Sequence, residues 1–181
     1  MVKSRVVVVF CAAAALLTAF SGCKAKPGST TAPSSGTETP PPEATVPAGF
    51  SLMDASAFNV ANYKGQVLLL DFWATWCGPC KMEIPHLIEL QKQYGDQGLR
   101  VIGITLDDNP DRDVPKYAAE VGMNYPNVRG NDKLKAEYGV VGIPTLVLYD
   151  REGNKVMSRA GYTEKKELEA KILPLLNPPP K

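Results

Sequence analysis

The chain changes character near Phe50, after which apolar residues follow the spacings of strands and helices. Three short runs are almost wholly apolar, over residues 66–73, 100–106 and 145–149. Such runs predict strands that are buried on both faces of a sheet. The more mixed segment 155–159 suits an edge strand. Two shorter features complete the set: a hairpin over residues 50–60 and a strand over 125–128.

Between these runs, apolar residues recur every three or four positions, the period of a helix with one buried side. This spacing predicts helices over residues 79–94, from near Asp113 or Pro115 to Gly122, and over 133–138. A last helix follows Thr163, a residue type that caps helix starts. Pro85 lies inside the first helix and predicts a kink there. Alternating strands and helices predict an α/β fold, a mixed sheet flanked by helices.

The first residues of the chain have the pattern of a secretory signal. Lys3 and Arg5 precede an apolar run over residues 6–17, and small residues follow it. The apolar run is shorter than the roughly 20 residues that cross a bilayer as a helix. We therefore expect residues 1–22 to direct export of the domain.

The letters Phe-Ser-Gly-Cys at residues 20–23 resemble the lipobox of bacterial lipoproteins. This resemblance implies that Cys23 is lipidated and becomes the mature N-terminus, and an ordinary signal peptide or an uncleaved anchor is the alternative. Residues 23–49 are rich in Pro, Ser and Thr and predict a flexible linker. Residues 50–176 then form the folded domain, and 177–181 a flexible tail.

Composition removes several classes of function. The 20 basic and 19 acidic residues nearly balance, so no nucleic-acid partner is expected. Two of the four cysteines lie at positions 11 and 23, which leaves Cys77 and Cys80 for the domain. Two cysteines cannot form a disulfide framework or a four-cysteine zinc site. His86 is the only histidine and is expected at the surface. We predict no metal site and no cofactor.

The segment Trp76-Cys77-Gly78-Pro79-Cys80 follows the first apolar run and opens the first helix. A helix N-terminus carries about half a positive charge and free N–H groups, which favour the thiolate of Cys77. Pro79 is tolerated in the first turn, and Gly78 allows close approach of a partner. Cys80 lies one turn further in, where it can bond to Cys77. We expect Trp76 to cover part of this dithiol and to contact the substrate.

Two carboxyl groups accompany the dithiol in the sequence. Asp71 interrupts an otherwise apolar strand, where an ionised carboxylate is costly unless it is paired. Glu83 follows Cys80 by three residues, which makes the two helical neighbours. We predict that one or both carboxyls exchange a proton with Cys80. The alternatives are a solvated helix residue for Glu83 and a sheet-edge carboxylate for Asp71.

Three blocks carry a resemblance to a known family: residues 72–80, then Glu83 with Pro85, then 139–145. In this order they resemble the thioredoxin superfamily, and in particular its exported TlpA/ResA branch. The resemblance spans about residues 50–176. It implies a thioredoxin-like fold with an added strand–helix unit before the last block.

The resemblance also implies roles for single residues. Pro144 should follow a cis peptide bond and lie beside the Cys77 sulfur, while Ile143 offers its backbone to a bound peptide. Asp71 matches the buried aspartate of thioredoxin, and Glu83 matches the glutamate near the active site of ResA-like proteins. The predicted catalytic residues are Cys77, Cys80, Glu83 and Asp71, and the predicted substrate-binding residues are Trp76, Gly78, Pro79, Ile143 and Pro144.

The predicted function is a membrane-anchored, extracytoplasmic thiol–disulfide oxidoreductase acting on oxidised protein disulfides. The Gly-Pro pair between the cysteines is that of thioredoxin, which is reducing at about −270 mV against about −120 mV for DsbA, and this favours a reductase. An exported reductase needs a membrane electron donor of the thiol-transporter type, because its surroundings are oxidising. Relatives imply apocytochrome c as one substrate. A copper-binding or metallochaperone protein, a thiol peroxidase and a passive binding module are the alternatives.

Overall fold

The structure is a computed structural model that describes residues 47–177. The predictions for the signal segment, for Cys23, for most of the linker and for the last residues of the tail fall outside this range. Within it, six strands form one mixed sheet in the order β1-β4-β3-β2-β5-β6. The strands are β1 (Leu52–Met53), β2 (Val67–Trp73), β3 (Leu99–Thr105), β4 (Asn127–Arg129), β5 (Thr145–Tyr149) and β6 (Lys155–Ala160).

The middle of the sheet is built from the three apolar runs. β2 is buried along its whole length and pairs in parallel with β3 and antiparallel with β5. β4 extends the parallel half beyond β3, and β6 forms the exposed edge beside β5. The five strands predicted after residue 60 are confirmed to within two residues. The central ones are recognisable in the sequence because a strand covered on both faces must be apolar at successive positions.

Four helices flank the sheet: α1 (Gly78–Tyr94), α2 (Pro110–Val121), α3 (Asp132–Tyr138) and α4 (Lys165–Leu176). Apolar residues of α1, α2 and α4 pack with one face of β2, which includes Leu69 and Trp73. α3 packs with the other face, which includes Leu70 and Phe72. Side chains alternate between the faces of a strand, so Asp71 lies on the α1 side. No helix within residues 47–177 is both long enough and apolar enough to cross a membrane.

Three local predictions were wrong. Residues 50–60 form no hairpin, because β1 pairs in parallel with β4 and two 3-10 turns, Ala55–Ala57 and Val60–Tyr63, follow it. α2 begins at Pro110 rather than near Asp113, since a proline suits the first helical turn. Glu164 rather than Thr163 precedes the first turn of α4.

Candidate active site

The two cysteines lie at the junction of β2 and α1. Cys77 is the N-cap of α1, and a disulfide bond joins it to Cys80. The backbone N–H of Cys80 donates a hydrogen bond to the Cys77 sulfur at 3.2 Å. Cys77 is 5% exposed, whereas Cys80 is fully buried. A free helix-terminal N–H favours negative charge on the sulfur it contacts, so Cys77 is the more suitable nucleophile of the pair.

The loop before Cys77 is fixed by an aspartate from the neighbouring strand. Asp107 follows β3, and its carboxylate accepts hydrogen bonds from the backbone N–H of Thr75 at 3.0 Å and from the Thr75 hydroxyl. The hydroxyl of Thr105 donates to the same carboxylate. β2 and β3 run in parallel, and therefore the residues that follow their carboxyl ends meet at one edge of the sheet.

The peptide bond between Ile143 and Pro144 is cis, as the family resemblance implied. Ile143 packs against the core cluster that contains both cysteines. The carbonyl of Pro144 accepts a hydrogen bond from the backbone N–H of Gly161 at 2.8 Å, and the Thr145 hydroxyl donates to the carbonyl of Gly142 at 2.7 Å. The first bond attaches the cis-proline loop to the segment that follows β6, and the second lies within the loop itself.

Asp71 is 1% exposed, and neither of its carboxylate oxygens has a hydrogen-bond partner. Burial raises the pKa of Asp71 well above its usual value, and the charge of Glu83 raises it further. Leu146 of β5 lies opposite Asp71 in the sheet, so the residue is central in the sheet rather than at its edge. Burial therefore disfavours a permanent negative charge on this carboxyl.

Glu83 is also fully buried, which is unusual for a glutamate on a helix. Burial raises its pKa to about 7, although a hydrogen bond from the backbone N–H of Thr163 opposes the rise. That N–H donates to Oε1 at 2.7 Å, while Oε2 has no partner. Glu83 is therefore not a solvated helix residue, and its carboxyl changes charge near neutral pH.

The surface around Cys77 is open and partly apolar. Trp76 is 67% exposed, and Val141, next to the cis-proline loop, is 96% exposed. Gly78 and Pro79 are exposed as well, and a Cβ added at Gly78 would contact no other part of the described chain. Trp73 is buried, and its indole N–H donates to Asn127 Oδ1 at 2.9 Å. Trp76 is therefore available to a partner, whereas Trp73 belongs to the core.

A cavity of about 660 Å³ lies elsewhere, on the face of the sheet that α3 covers. Its lining includes Phe58, Tyr138 and Tyr149 but neither cysteine. The dithiol therefore does not open into this cavity. The exposed side chains around Cys77 suit contact with a large partner better than an enclosed small molecule.

Sequence reasoning missed three residues that contact or adjoin the site. Asp107 could have been predicted from the sequence, because it follows a buried parallel strand and such positions often carry functional side chains. Thr163 was interpreted as a helix cap, whereas its N–H contacts Glu83. Tyr125 is fully buried, and its hydroxyl has no partner.

His86 is half-buried, with its ring centroid 5.9 Å from that of Tyr162, rather than at the open surface as expected.

The structure defines a thioredoxin-like thiol–disulfide oxidoreductase. Its features are a Cys77–Cys80 disulfide at the start of a helix, a cis-proline and the order of the strands in the sheet. Comparison with known proteins agrees: the chain belongs to the AhpC/TSA family, whose model matches residues 39–156. The chain is 31% identical to the thiol-disulfide oxidoreductase ResA of Bacillus anthracis over 118 residues, which are 65% of this chain and 68% of the relative. It is 33% identical to the thioredoxin-like protein YneN of Bacillus subtilis over 115 residues, 63% of this chain and 68% of the relative.

Solved structures give the same result. The chain resembles a putative thiol:disulfide interchange protein DsbE from Chlorobium tepidum with a TM-score of 0.61 and 33% identity, covering 65% of this chain and 85% of that one. It also resembles a pneumococcal exposed lipoprotein thioredoxin from Streptococcus pneumoniae, with a TM-score of 0.57 and 28% identity over 65% of this chain and 91% of that one.

Proposed function

We propose that this protein reduces disulfide bonds in other exported proteins through Cys77 and Cys80. The observation that carries the proposal is the Cys77 sulfur, which caps α1, accepts the Cys80 N–H and belongs to a residue that is 5% exposed and adjoins the exposed Trp76. The thiol–disulfide oxidoreductases among its relatives support the same chemistry.

The reaction has two sulfur exchanges. The Cys77 thiolate attacks a disulfide of the partner, which forms a mixed disulfide and releases one partner sulfur as a thiolate. Cys80 then loses its proton and attacks the Cys77 sulfur, so that the second partner sulfur leaves and the Cys77–Cys80 bond forms. Two electrons pass to the partner, and both of its sulfurs end as thiols after protonation.

Asp71 and Glu83 are the proposed proton acceptors for Cys80. Both are buried on the side of the sheet that α1 covers, and both have raised pKa values, that of Glu83 being about 7. A raised pKa suits a carboxyl that takes up and returns a proton. Ionised carboxylates would hold the proton of Cys80 while its thiolate attacks. The proton returns when the dithiol is reduced again.

The partner is proposed to bind across Trp76, Gly78 and Pro79 on one side and the Ile143–Pro144 loop on the other. Trp76 supplies exposed aromatic surface, and the Gly78 position leaves room for another chain. The backbone of Ile143 is the proposed hydrogen-bonding edge for an extended segment of the partner. The peptide around the target disulfide would then be held next to Cys77.

The direction and location are further parts of the proposal. The Gly-Pro pair between the cysteines favours reduction, and a membrane electron donor of the thiol-transporter type would restore the dithiol. Residues 1–22 are proposed as a lipoprotein signal and Cys23 as the lipidated residue, with 23–49 as linker and 50–176 as the domain. The exposed lipoprotein among the similar structures supports this arrangement. Apocytochrome c is one proposed substrate, since ResA is among the relatives.

Trapping the mixed disulfide tests the proposal. A Cys80→Ala variant in the native host cannot resolve the intermediate, so we expect partner proteins to remain bonded to Cys77 and to be released by dithiothreitol. The Cys77→Ala variant is the matched control, because it keeps one buried thiol but removes the nucleophile. Recovery of cytochrome maturation proteins would support that substrate, and recovery of only general exported proteins would contradict it.

The alternatives give different results in the same preparation. A thiol peroxidase would consume hydrogen peroxide in parallel with dithiol oxidation, and a copper protein would retain copper through gel filtration. We expect hydrogen peroxide to be consumed more slowly than protein disulfides are reduced, and copper to be retained at well below one ion per dithiol. A purified protein that does not cycle between dithiol and disulfide would refute the proposed function altogether.

A further inference from the structure

Buried oxygen atoms without partners are concentrated near the dithiol. Six side-chain nitrogen or oxygen atoms within residues 47–177 are buried without a hydrogen bond, and four belong to Asp71, Glu83 and Tyr125. Buried polar groups in proteins nearly always have a partner, and exceptions mark sites of function or strain. A group of three such residues beside a reactive cysteine pair therefore needs a functional explanation.

The three residues come from separate elements that meet in one core. Asp71 lies on the face of β2 that α1 covers, and Glu83 extends from α1 one turn after Cys80. Tyr125 lies between α2 and β4, is fully buried, and belongs to the same apolar cluster as Trp73 and Cys80. Asp71 pairs with Gly103 of β3, and Gly103 pairs with Asn127 of β4, two residues after Tyr125, so Tyr125 enters β4 near the level of Asp71 in the sheet. The charges of Asp71 and, more weakly, Glu83 raise the pKa of the Tyr125 hydroxyl beyond the effect of burial, in agreement with this placement.

Of the three residues Asp71, Glu83 and Tyr125, only Tyr125 can donate a hydrogen bond when both carboxyls are ionised. An ionised carboxylate only accepts hydrogen bonds, and Glu83 already receives one from Thr163. Asp71 receives none. The Tyr125 hydroxyl keeps its proton throughout the neutral range, because its pKa lies well above its usual value. The Tyr125 hydroxyl is therefore a permanent donor in the same region as an acceptor that lacks one, and neither group has a hydrogen-bond partner within residues 47–177.

We propose that Tyr125 is a positioning residue of the active site, whose hydroxyl donates a hydrogen bond to the Asp71 carboxylate when that carboxyl is ionised. This inference rests on the proposed function, since it concerns the group that receives the Cys80 proton. The bond stabilises the ionised form of Asp71 before the transfer. Asp71 then takes the proton of Cys80, the Cys80 thiolate attacks the Cys77 sulfur, and the partner sulfur leaves with the bonding electrons.

A Tyr125→Phe variant removes the donor and keeps the ring. Reduced protein is mixed with 5,5′-dithiobis(2-nitrobenzoate), and release of thionitrobenzoate is followed by stopped-flow absorbance. The first, second-order phase reports attack by Cys77, and the second, first-order phase reports resolution by Cys80. A hydrogen bond to a charged group corresponds to about one pKa unit. We expect the pH midpoint of the second phase to rise by about one unit and its rate below that midpoint to fall about tenfold.

Tyr94→Phe is the matched control, because it also removes one hydroxyl from the same core cluster. The Tyr94 hydroxyl, at the end of α1 away from the cysteines, donates to Glu169 of α4. Its removal should leave the pH midpoint of the second phase unchanged. Superimposable second-phase pH profiles for Tyr125→Phe and the parent protein would overturn the inference. The first phase separates this result from failure of the proposed function, since an inert Cys77 would remove both phases in every variant.

A second measurement needs no substitution. Carbon-13 labels on tyrosine Cζ and aspartate Cγ of the oxidised protein are followed by NMR across the pH range. We expect the Tyr125 Cζ shift to change with the same midpoint as the Asp71 carboxyl. A Tyr125 signal that stays constant while Asp71 titrates would overturn the inference even if the Tyr125→Phe variant did not fold.

Discussion

Replacement of Glu83 by glutamine isolates the ionisation of one buried carboxyl. Glutamine keeps the shape of the side chain and an oxygen that can accept the N–H of Thr163. It removes the negative charge that Glu83 gains as pH rises. In the oxidised protein the cysteines do not titrate, so the pH dependence of stability reports the remaining groups.

The sign of the effect follows from the raised pKa. Glu83 has a pKa of about 7 in the folded protein against 4.5 unfolded, so between these values the folded state binds more protons. The free energy of unfolding therefore falls as pH rises from 4.5 to about 7 and is constant, for this group, above that range. At about 1.36 kcal/mol per unit, the total loss is about 3 kcal/mol.

Urea unfolding of the oxidised protein at several pH values between about 4.5 and 8 measures this loss. We expect the parent protein to lose about 3 kcal/mol more than Glu83→Gln across the range. Asp71 contributes a slope of the same sign to both proteins. Glu120→Gln, at an exposed position of α2, is the control and should follow the parent protein. Parallel curves for the parent and Glu83→Gln would refute the reasoning.

Two further substitutions test the surroundings of the dithiol. Asp107→Ala removes the acceptor of the Thr75 N–H, which should cost about 1–3 kcal/mol of unfolding free energy and speed hydrogen exchange of the Thr75 amide; unchanged protection of that amide would contradict the assigned role. Trp76→Ala removes an exposed aromatic side chain, and we expect KM for a protein disulfide to rise about tenfold while stability stays within about 0.5 kcal/mol. An equal loss with oxidised glutathione would show that Trp76 acts on the dithiol rather than on partner binding.

Much of the fold was predictable because its central strands are buried on both faces. β2, β3 and β5 appear in the sequence as unbroken apolar runs, and α1 begins where the Cys-Gly-Pro-Cys segment predicts. The cis bond before Pro144 followed from the family resemblance. These features depend on residues that are near one another in the chain.

The wrong predictions concern contacts between distant residues. β1 is two residues long and pairs with β4, which lies more than 70 residues later, so its local pattern could not distinguish it from a hairpin. Thr163 has the residue type of a helix cap, but its N–H is used by Glu83, 80 residues away. Tyr125 was predicted only as part of a short strand, and the carboxyls that affect its hydroxyl, Asp71 and Glu83, come from distant parts of the chain.

The sequence by itself determined the reactive pair, its place at a helix start and the order of strands and helices, because these depend on local spacing and residue type. It also placed Asp71 in an apolar strand and Glu83 one turn from Cys80. Only the tertiary structure decided that both carboxyls are buried, which strand ends meet, and that Tyr125 shares their core. Burial and electrostatic coupling arise from groups that folding brings together across the chain, so neither quantity is present in any local segment.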